Sequence, residues 1–281
     1  MKEKKNFTTI FIVYIILLIL IILLIFIMMS NNNPKNNIEW DNNLLIGHSF
    51  GSIGNDTYTG SYEAFQAAYD RGVRTFEVDL NLTNDNKVVL AHDFDKNSIP
   101  TEKEFLATPI KGKYTPMSFK DLLELMNRYE DIYIVTDTKF TDKKNIEIEF
   151  NEMLKTAQEN DLVNVFDRFI IQIYNKDMYD YVQDIYNFKS TIFTLYMIGF
   201  NGNVGDFEQI CSWCKSKNIK SITMWSYLYN QDIKEVAQKY NIDIYVHTVN
   251  DVKEAKKLIA NGVRGIYTDS IGRNDLISKP Q

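Results

Sequence analysis

The chain is poor in three things: 2 cysteines and 3 histidines among 281 residues, and no surplus of positive charge, with 31 Lys and Arg against 37 Asp and Glu. The net charge is −6, and the first five residues set Lys2, Lys4 and Lys5 against Glu3, so the remainder is more acidic still. A chain of that balance is a poor match to nucleic acid or another polyanion, whose binding draws on clustered basic side chains. Cys211 and Cys214 are the only thiols, so no second pair exists to complete a zinc site. They fall in an apparent helix over 206–217 at spacing i, i+3, where a disulfide would be strained, and they read as small half-buried core residues.

Long apolar runs are also scarce. The single one, from Ile10 to Met29, is broken only by Tyr14 and is long enough to cross a bilayer at about 1.5 Å per residue. A cleavable signal would have a shorter apolar stretch and a small-residue cleavage site; here Ser30, three asparagines and Pro34 follow. Residues 1–30 therefore read as a cytoplasmic tip and an uncleaved membrane anchor, and 31–37 as a polar spacer. The lysines of the tip put the N-terminus in the cytoplasm by the positive-inside bias, so 38–281 is expected as a single domain outside the cell membrane. No protein partner can be inferred from the sequence.

Within that domain, short β-branched or aromatic runs alternate with longer amphipathic ones, the pattern of a parallel sheet with helical crossovers. Strands are expected over 44–48, 75–80, 88–92, 132–137, 169–174, 191–196, 221–225, 243–247 and 265–269. Helices are expected over 62–70, 118–129, 146–159, 177–186, 206–217, 232–240 and 252–261. The gap between 80 and 88 admits only a turn, so 88–92 must return antiparallel beside 75–80 or branch off. Eight parallel strands remain, in about 240 residues. That is the count and size of a (β/α)8 TIM barrel, in which chemistry sits at the C-terminal ends of the strands.

His48, Glu77, Asp79, Asp137, Gln172 and His247 lie at or near five such ends. Glu77 and Asp79, at i and i+2, share one face of a strand, where two acids repel unless a cation holds them; a divalent metal is the natural partner. If Asp85 and Asn86 form a two-residue turn, Asp79 pairs across the hairpin with His92. His48 precedes a glycine-rich loop that permits close backbone approach. Asp137 and Lys139 add a third carboxylate and a cation on one face. Two histidines flanking a metal suit phosphate-ester cleavage, one managing the nucleophile's proton and the other protonating the leaving oxygen.

Together these residues resemble the glycerophosphodiester phosphodiesterase family, within the superfamily of phosphatidylinositol-specific phospholipase C. The resemblance rests on Gly47-His48-Ser49, on EAFQAAYDRGV from Glu63, and on FEVDLNLTNDNKVVLAHD from Phe76. It continues through Asp137-Thr138-Lys139, Gln172, Thr248-Val249-Asn250, Gly262, Gly265, Thr268 and Asp269, spanning roughly 44–270. It implies His48 and His92 as the acid/base pair, Glu77, Asp79 and Asp137 as metal ligands, and Lys139 as a phosphate contact. Ser49, Gln172, Trp225 and His247 complete the candidate substrate contacts. The chain departs from the family pattern in several places. Ser49 stands where the family has Arg, Thr59-Gly60-Ser61 replaces E-N-T, and His247 replaces Trp. Asp137 replaces Glu, so that D-x-K looks more like the sphingomyelinase D branch.

The expected activity is hydrolysis, or intramolecular transesterification, of a phosphodiester carrying a glycerol- or lipid-type alcohol. Lipid head groups, their deacylated products and anionic wall polymers are the substrates an outward-facing enzyme would meet. Hard oxygen ligands favour Ca²⁺ or Mg²⁺. A phospholipase D-like activity on choline lipids is the alternative enzyme, favoured by Asp137 and by Tyr174, Tyr196 and Trp225 as a site for a quaternary ammonium. The missing Arg at Ser49 motivates a second alternative, a non-catalytic barrel that binds a phosphoglycerol-type ligand.

Overall fold

A computed structural model describes residues 40–277. The expected anchor and spacer lie outside the described residues, and among the described residues no helix is long and apolar enough to cross a membrane.

Nine strands form one sheet: β1 Leu45–Gly47, β2 Thr75–Leu82, β3 Val88–Leu90, β4 Tyr133–Thr138, β5 Phe169–Ile173, β6 Ser190–Thr194, β7 Ser221–Trp225, β8 Asp243–His247 and β9 Gly265–Thr268. Their order is β1-β9-β8-β7-β6-β5-β4-β2-β3, and β1 also pairs with β2, so all but β3 close into a parallel barrel. Helices α1 Tyr62–Asp70, α3 Phe119–Arg128, α4 Lys143–Glu159, α5 Lys176–Ile185, α6 Val204–Ser216, α7 Gln231–Tyr240 and α8 Val252–Ala260 fill the crossovers. Two short helices, α2 Glu102–Leu106 and α9 Arg273–Ile277, complete the set. The expected (β/α)8 barrel is the observed fold.

The strands form because both faces are covered, so most are buried end to end, as a parallel sheet requires. Alternation separates two cores. Outward residues such as Phe76, Ile134 and Ile171 pack under the helices, while Ile46, Val135, Ile170, Ile192, Tyr245 and Tyr267 fill the barrel. Trp40 stacks on Tyr245 at 5.2 Å inside it. Gly265 is needed for that packing, since a Cβ there would lie 2.8 Å from the Tyr245 ring. Cys211 and Cys214 are buried and free on α6, as their spacing implies.

Polar caps fix where the helices begin. Ser118 and Asp121 form a capping box on α3, and Asp142 starts α4 three residues before the expected 146. The β2–β3 hairpin departs from expectation. The pairs are Leu80 with Leu90, Asn81 with Val89 and Leu82 with Val88. Asp79 consequently faces Ala91, whose N–H it accepts at 3.1 Å, and not His92. The reason is the turn: Thr83 and Lys87 close it, with Asn86 left-handed, so the loop is longer than the two residues expected and the register moves by one.

Candidate active site

Interior positions at the C-terminal ends of β2, β4, β5 and β8 carry Glu77 and Asp79, Asp137, Gln172 and His247, all buried. On β2 and β4, Glu77 lies beside Val135 and Asp79 beside Asp137, because the two strands pair in parallel register. The carboxylate oxygens of Glu77, Asp79 and Asp137 fall within 4.8 Å of one another, all three being buried or nearly so. They line a cavity of about 230 Å³ that also takes in His48, His92, Lys139, Gln172, Trp225 and His247. Nine of the ten candidate residues thus converge on one space, and Ser49 lies directly behind it.

Charge in this space is dense. Lys139 donates to Asp79 at 2.5 Å and to Asp137 at 2.7 Å. Burial opposes its charge, yet Asp137, Asp79 and Glu77 hold its pKa above the ordinary lysine value. For Glu77, burial and then Asp79 push the pKa well up, and its Oε1 is buried with no partner. Burial also raises Asp137, whereas at Asp79 burial is outweighed by Lys139 and Ser49, so its pKa is lowered. Asp137 accepts from Gln172 at 2.9 Å, from Tyr196 at 3.2 Å and from the Tyr174 hydroxyl. Three hard carboxylates, one with an orphaned oxygen, fit a divalent cation of the Ca²⁺ or Mg²⁺ type.

Two of the expected substrate contacts take other work. Ser49 is 1% exposed, and both its donors serve carboxylates: its N–H reaches Glu77 Oε2 at 2.7 Å and its Oγ reaches Asp79 Oδ2 at 2.6 Å. A direct substrate contact at Ser49 is therefore replaced by a role in orienting the acids. Its backbone is left-handed, φ 48° and ψ 47°, which turns the N–H inward as β1 ends one residue earlier than expected. Gln172 is held between Asp137 and the Tyr267 hydroxyl, at 2.9 and 3.2 Å, and fixes the orientation of Asp137.

The histidines differ. His48 Nδ1 donates to Asp269 Oδ1 at 2.8 Å, since a carboxylate can only accept, and Asp269 is held by Asn250 at 2.6 Å. Burial works against the imidazolium, but the Asp269 hydrogen bond and the charges of Glu77, Asp269 and Asp79 push the His48 pKa up to about 9. His92, past the end of β3, is more exposed and donates from Nδ1 to Asp93 at 2.5 Å. His247 is buried against Tyr196, Trp225 and Tyr267, and burial, then His48, lowers its pKa to about 4. It is therefore an uncharged wall at neutral pH.

Sequence reasoning named Asp269 only as part of a motif, with no role, and passed over Tyr58. Asp269 directly follows the last strand, and barrel closure makes that strand the neighbour of β1, so adjacency to His48 followed from topology. Tyr58 sits in the loop after β1 with its ring edge-on to both histidines, 4.9 Å from His48 and 4.6 Å from His92. That loop is pinned through Asp56, which accepts from Tyr114 at 2.7 Å and pairs with Lys113 at 2.7 Å and Lys111 at 3.2 Å. No periodicity marks such a residue in advance.

Residues 55–273 match the glycerophosphoryl diester phosphodiesterase family. Among solved structures, a glycerophosphodiester phosphodiesterase from Parabacteroides distasonis superposes with a TM-score of 0.64 at 17% identity, over 82% of this chain and 93% of that one. A phosphodiesterase from Oleispira antarctica, solved with the product sn-glycerol-3-phosphate, gives 0.65 at 12% identity, over 83% and 96%. These likenesses concern the fold.

Proposed function

The chain belongs to the glycerophosphoryl diester phosphodiesterase family and is a phosphodiesterase, and from that premise we propose that it cleaves a phosphodiester of a glycerol- or lipid-type alcohol by acid/base catalysis between His48 and His92. The observation that carries this reading is the convergence of both histidines with Glu77, Asp79 and Asp137 on one cavity. The Oleispira neighbour, whose bound product is sn-glycerol-3-phosphate, supports a substrate of the same class.

Glu77, Asp79 and Asp137 would hold Ca²⁺ or Mg²⁺, which when bound supplies charge for the phosphoryl oxygens and lowers the barrier to attack. Ser49 and Gln172 fix the carboxylates from behind. Lys139, released from Asp79 and Asp137, turns its ammonium toward a phosphoryl oxygen. His48, kept protonated by Asp269, donates from Nε2 to the leaving oxygen. His92, oriented by Asp93 through Nδ1, presents Nε2 as the acceptor of the nucleophile's proton. Tyr58 keeps the two imidazoles in place, and the rings of Tyr196, Trp225 and His247 form the opposite wall. In the full chain, residues 1–30 serve as the membrane anchor, with this domain outside.

The test is turnover of a glycerophosphodiester with an alkyl leaving group. Activity that requires Ca²⁺ or Mg²⁺, is abolished by chelation, and falls at least a hundredfold in His48→Ala and His92→Ala is the expected outcome. Full activity under chelation, or in either variant, would overturn the assignment.

A further inference from the structure

The lip of the cavity has two unlike halves. Exposed apolar residues scattered singly over a surface are ordinary, but contiguous ones at the mouth of a site mark a ligand. Two loops, one after β6 and one after β7, leave adjacent strands paired at Thr194 and Thr223. Residues 190–205 and 221–231, which contain these loops, hold no Asp, Glu, Lys or Arg, in a chain that is 24% charged. They expose Met197 at 54% and Tyr227 at 77%, together with Ile198 and Trp225. The Trp225 ring lines the cavity and stacks on Tyr227 at 6.3 Å and 15°, so one apolar surface runs from the site out to solvent. The segments after β3, by contrast, carry Asp93, Asp95, Lys96 and Lys111.

We infer that this uncharged lip is a second subsite, which takes a single acyl or alkyl chain borne by the alcohol of the phosphodiester. The inference rests on the hydrolase reading above and narrows its substrate to single-chain lipid phosphodiesters. Continuity decides the occupant. The surface begins at Trp225 in the reacting cavity, so an apolar group reaching it must be tethered to the phosphodiester bound there. His247 adds no charge to that wall at neutral pH, and Lys139 is engaged with acids on the other side. A rigid Trp and Tyr pair, with flexible Met and Ile exposed on the loop after the neighbouring strand, suits a chain of variable length.

The experiment uses the full chain and soluble aryl phosphodiesters whose second alcohol is glycerol carrying no chain, or a butanoyl, hexanoyl or octanoyl chain. A methylene buried fully gains roughly fourfold in binding, so on an open lip KM should fall roughly twofold per methylene, or about sixteenfold from butanoyl to octanoyl. The double variant Tyr227→Ser, Met197→Ser should reduce that dependence at least threefold, while Tyr227→Phe retains it. A KM indifferent to chain length overturns the inference and leaves the hydrolase reading standing. So does a lip whose substitution affects only vesicle-embedded substrate, which would assign it to bilayer contact. If no member of the series turns over, the hydrolase reading fails, and quenching of Trp225 fluorescence, with Trp225→Phe as the blank, decides the lip by itself. Chain-dependent binding upholds the subsite and flat binding overturns it.

Discussion

Replacing Asp269 with Asn removes the hydrogen-bonded charge that sustains the His48 imidazolium. The Asp269 oxygens serve two donors, His48 at 2.8 Å and Asn250 at 2.6 Å, and an amide offers one oxygen for both. Without the carboxylate, burial works against the charged ring, and its pKa should fall from about 9 toward or below 6.5. The sign follows from the role. His48 acts as the acid, so activity needs the protonated form, which prevails below the pKa and is lost as pH rises through it. At about pH 8 the protonated fraction would drop from roughly nine-tenths to one-thirtieth, a loss of up to about thirtyfold in kcat/KM, and at about pH 6 the loss would be under about twofold. Binding of a divalent ion weakens the support from Glu77 and Asp79, which makes the Asp269 contribution the decisive one. The assay is kcat/KM against pH with an alkyl leaving group, because an activated aryl leaving group departs without a proton. A D269N variant that loses activity equally at both pH values, or keeps the wild-type alkaline limb, would refute the role given to His48.

Three further outcomes follow from named contacts. Ser49→Ala deletes the Oγ donor to Asp79 and keeps the backbone donor to Glu77, so the metal concentration for half-maximal activity should rise roughly tenfold, read by titrating Ca²⁺ or Mg²⁺. Tyr58→Ala removes two ring contacts from the histidines and should lower kcat several-fold, about 1 kcal/mol, while Tyr58→Phe restores it. Glu149, fully buried on α4 and accepting from Thr138 at 2.8 Å, has its pKa pushed by burial from 4.5 to about 8. The folded state then keeps a proton that the unfolded chain releases, so stability is full below pH 4.5 and declines as pH rises to about 8, by roughly 5 kcal/mol. Glu149→Gln should flatten that decline in urea melts at several pH values, with an equal slope in both proteins counting against it.

The barrel was legible because burial on both faces makes each parallel strand a short apolar run and each crossover an amphipathic one. The acidic pair was legible because Glu77 and Asp79 sit two apart on a strand, a spacing that fixes their common face. Geometry that depends on loops was not. One extra residue in the loop that Thr83 and Lys87 close moved His92 off Asp79, and it reaches the cavity from beyond β3 by a path that no strand alternation encodes. The two short helices, α2 and α9, carry too few residues for a period to show. Asp269 and Ser49 act through closure of the barrel and a left-handed backbone, both properties of the folded chain and not of local pattern.

The replacement of the family's Arg by Ser49 then has a physical reading. Around the cavity stand Glu77, Asp79, Asp137 and Asp269 against Lys139 and His48, and both cations are already bonded to acids. A phosphodiester brings further negative charge, so the chain's own side chains leave it little attraction. An Arg at position 49 would help to offset that charge; a Ser there tightens the acidic cluster by adding its Oγ as a donor to Asp79, beside the backbone N–H that reaches Glu77. What the substitution removes in anion binding it returns as carboxylate order, which makes affinity for substrate depend more steeply on a bound divalent ion and on apolar contacts at the lip. Loss of the ion should accordingly weaken diester binding itself, and not only the chemical step. Isothermal titration of the His92→Ala protein with a glycerophosphodiester, with and without Ca²⁺ or Mg²⁺, measures this directly: binding that survives chelation unchanged would show that the acids are balanced by something other than the ion.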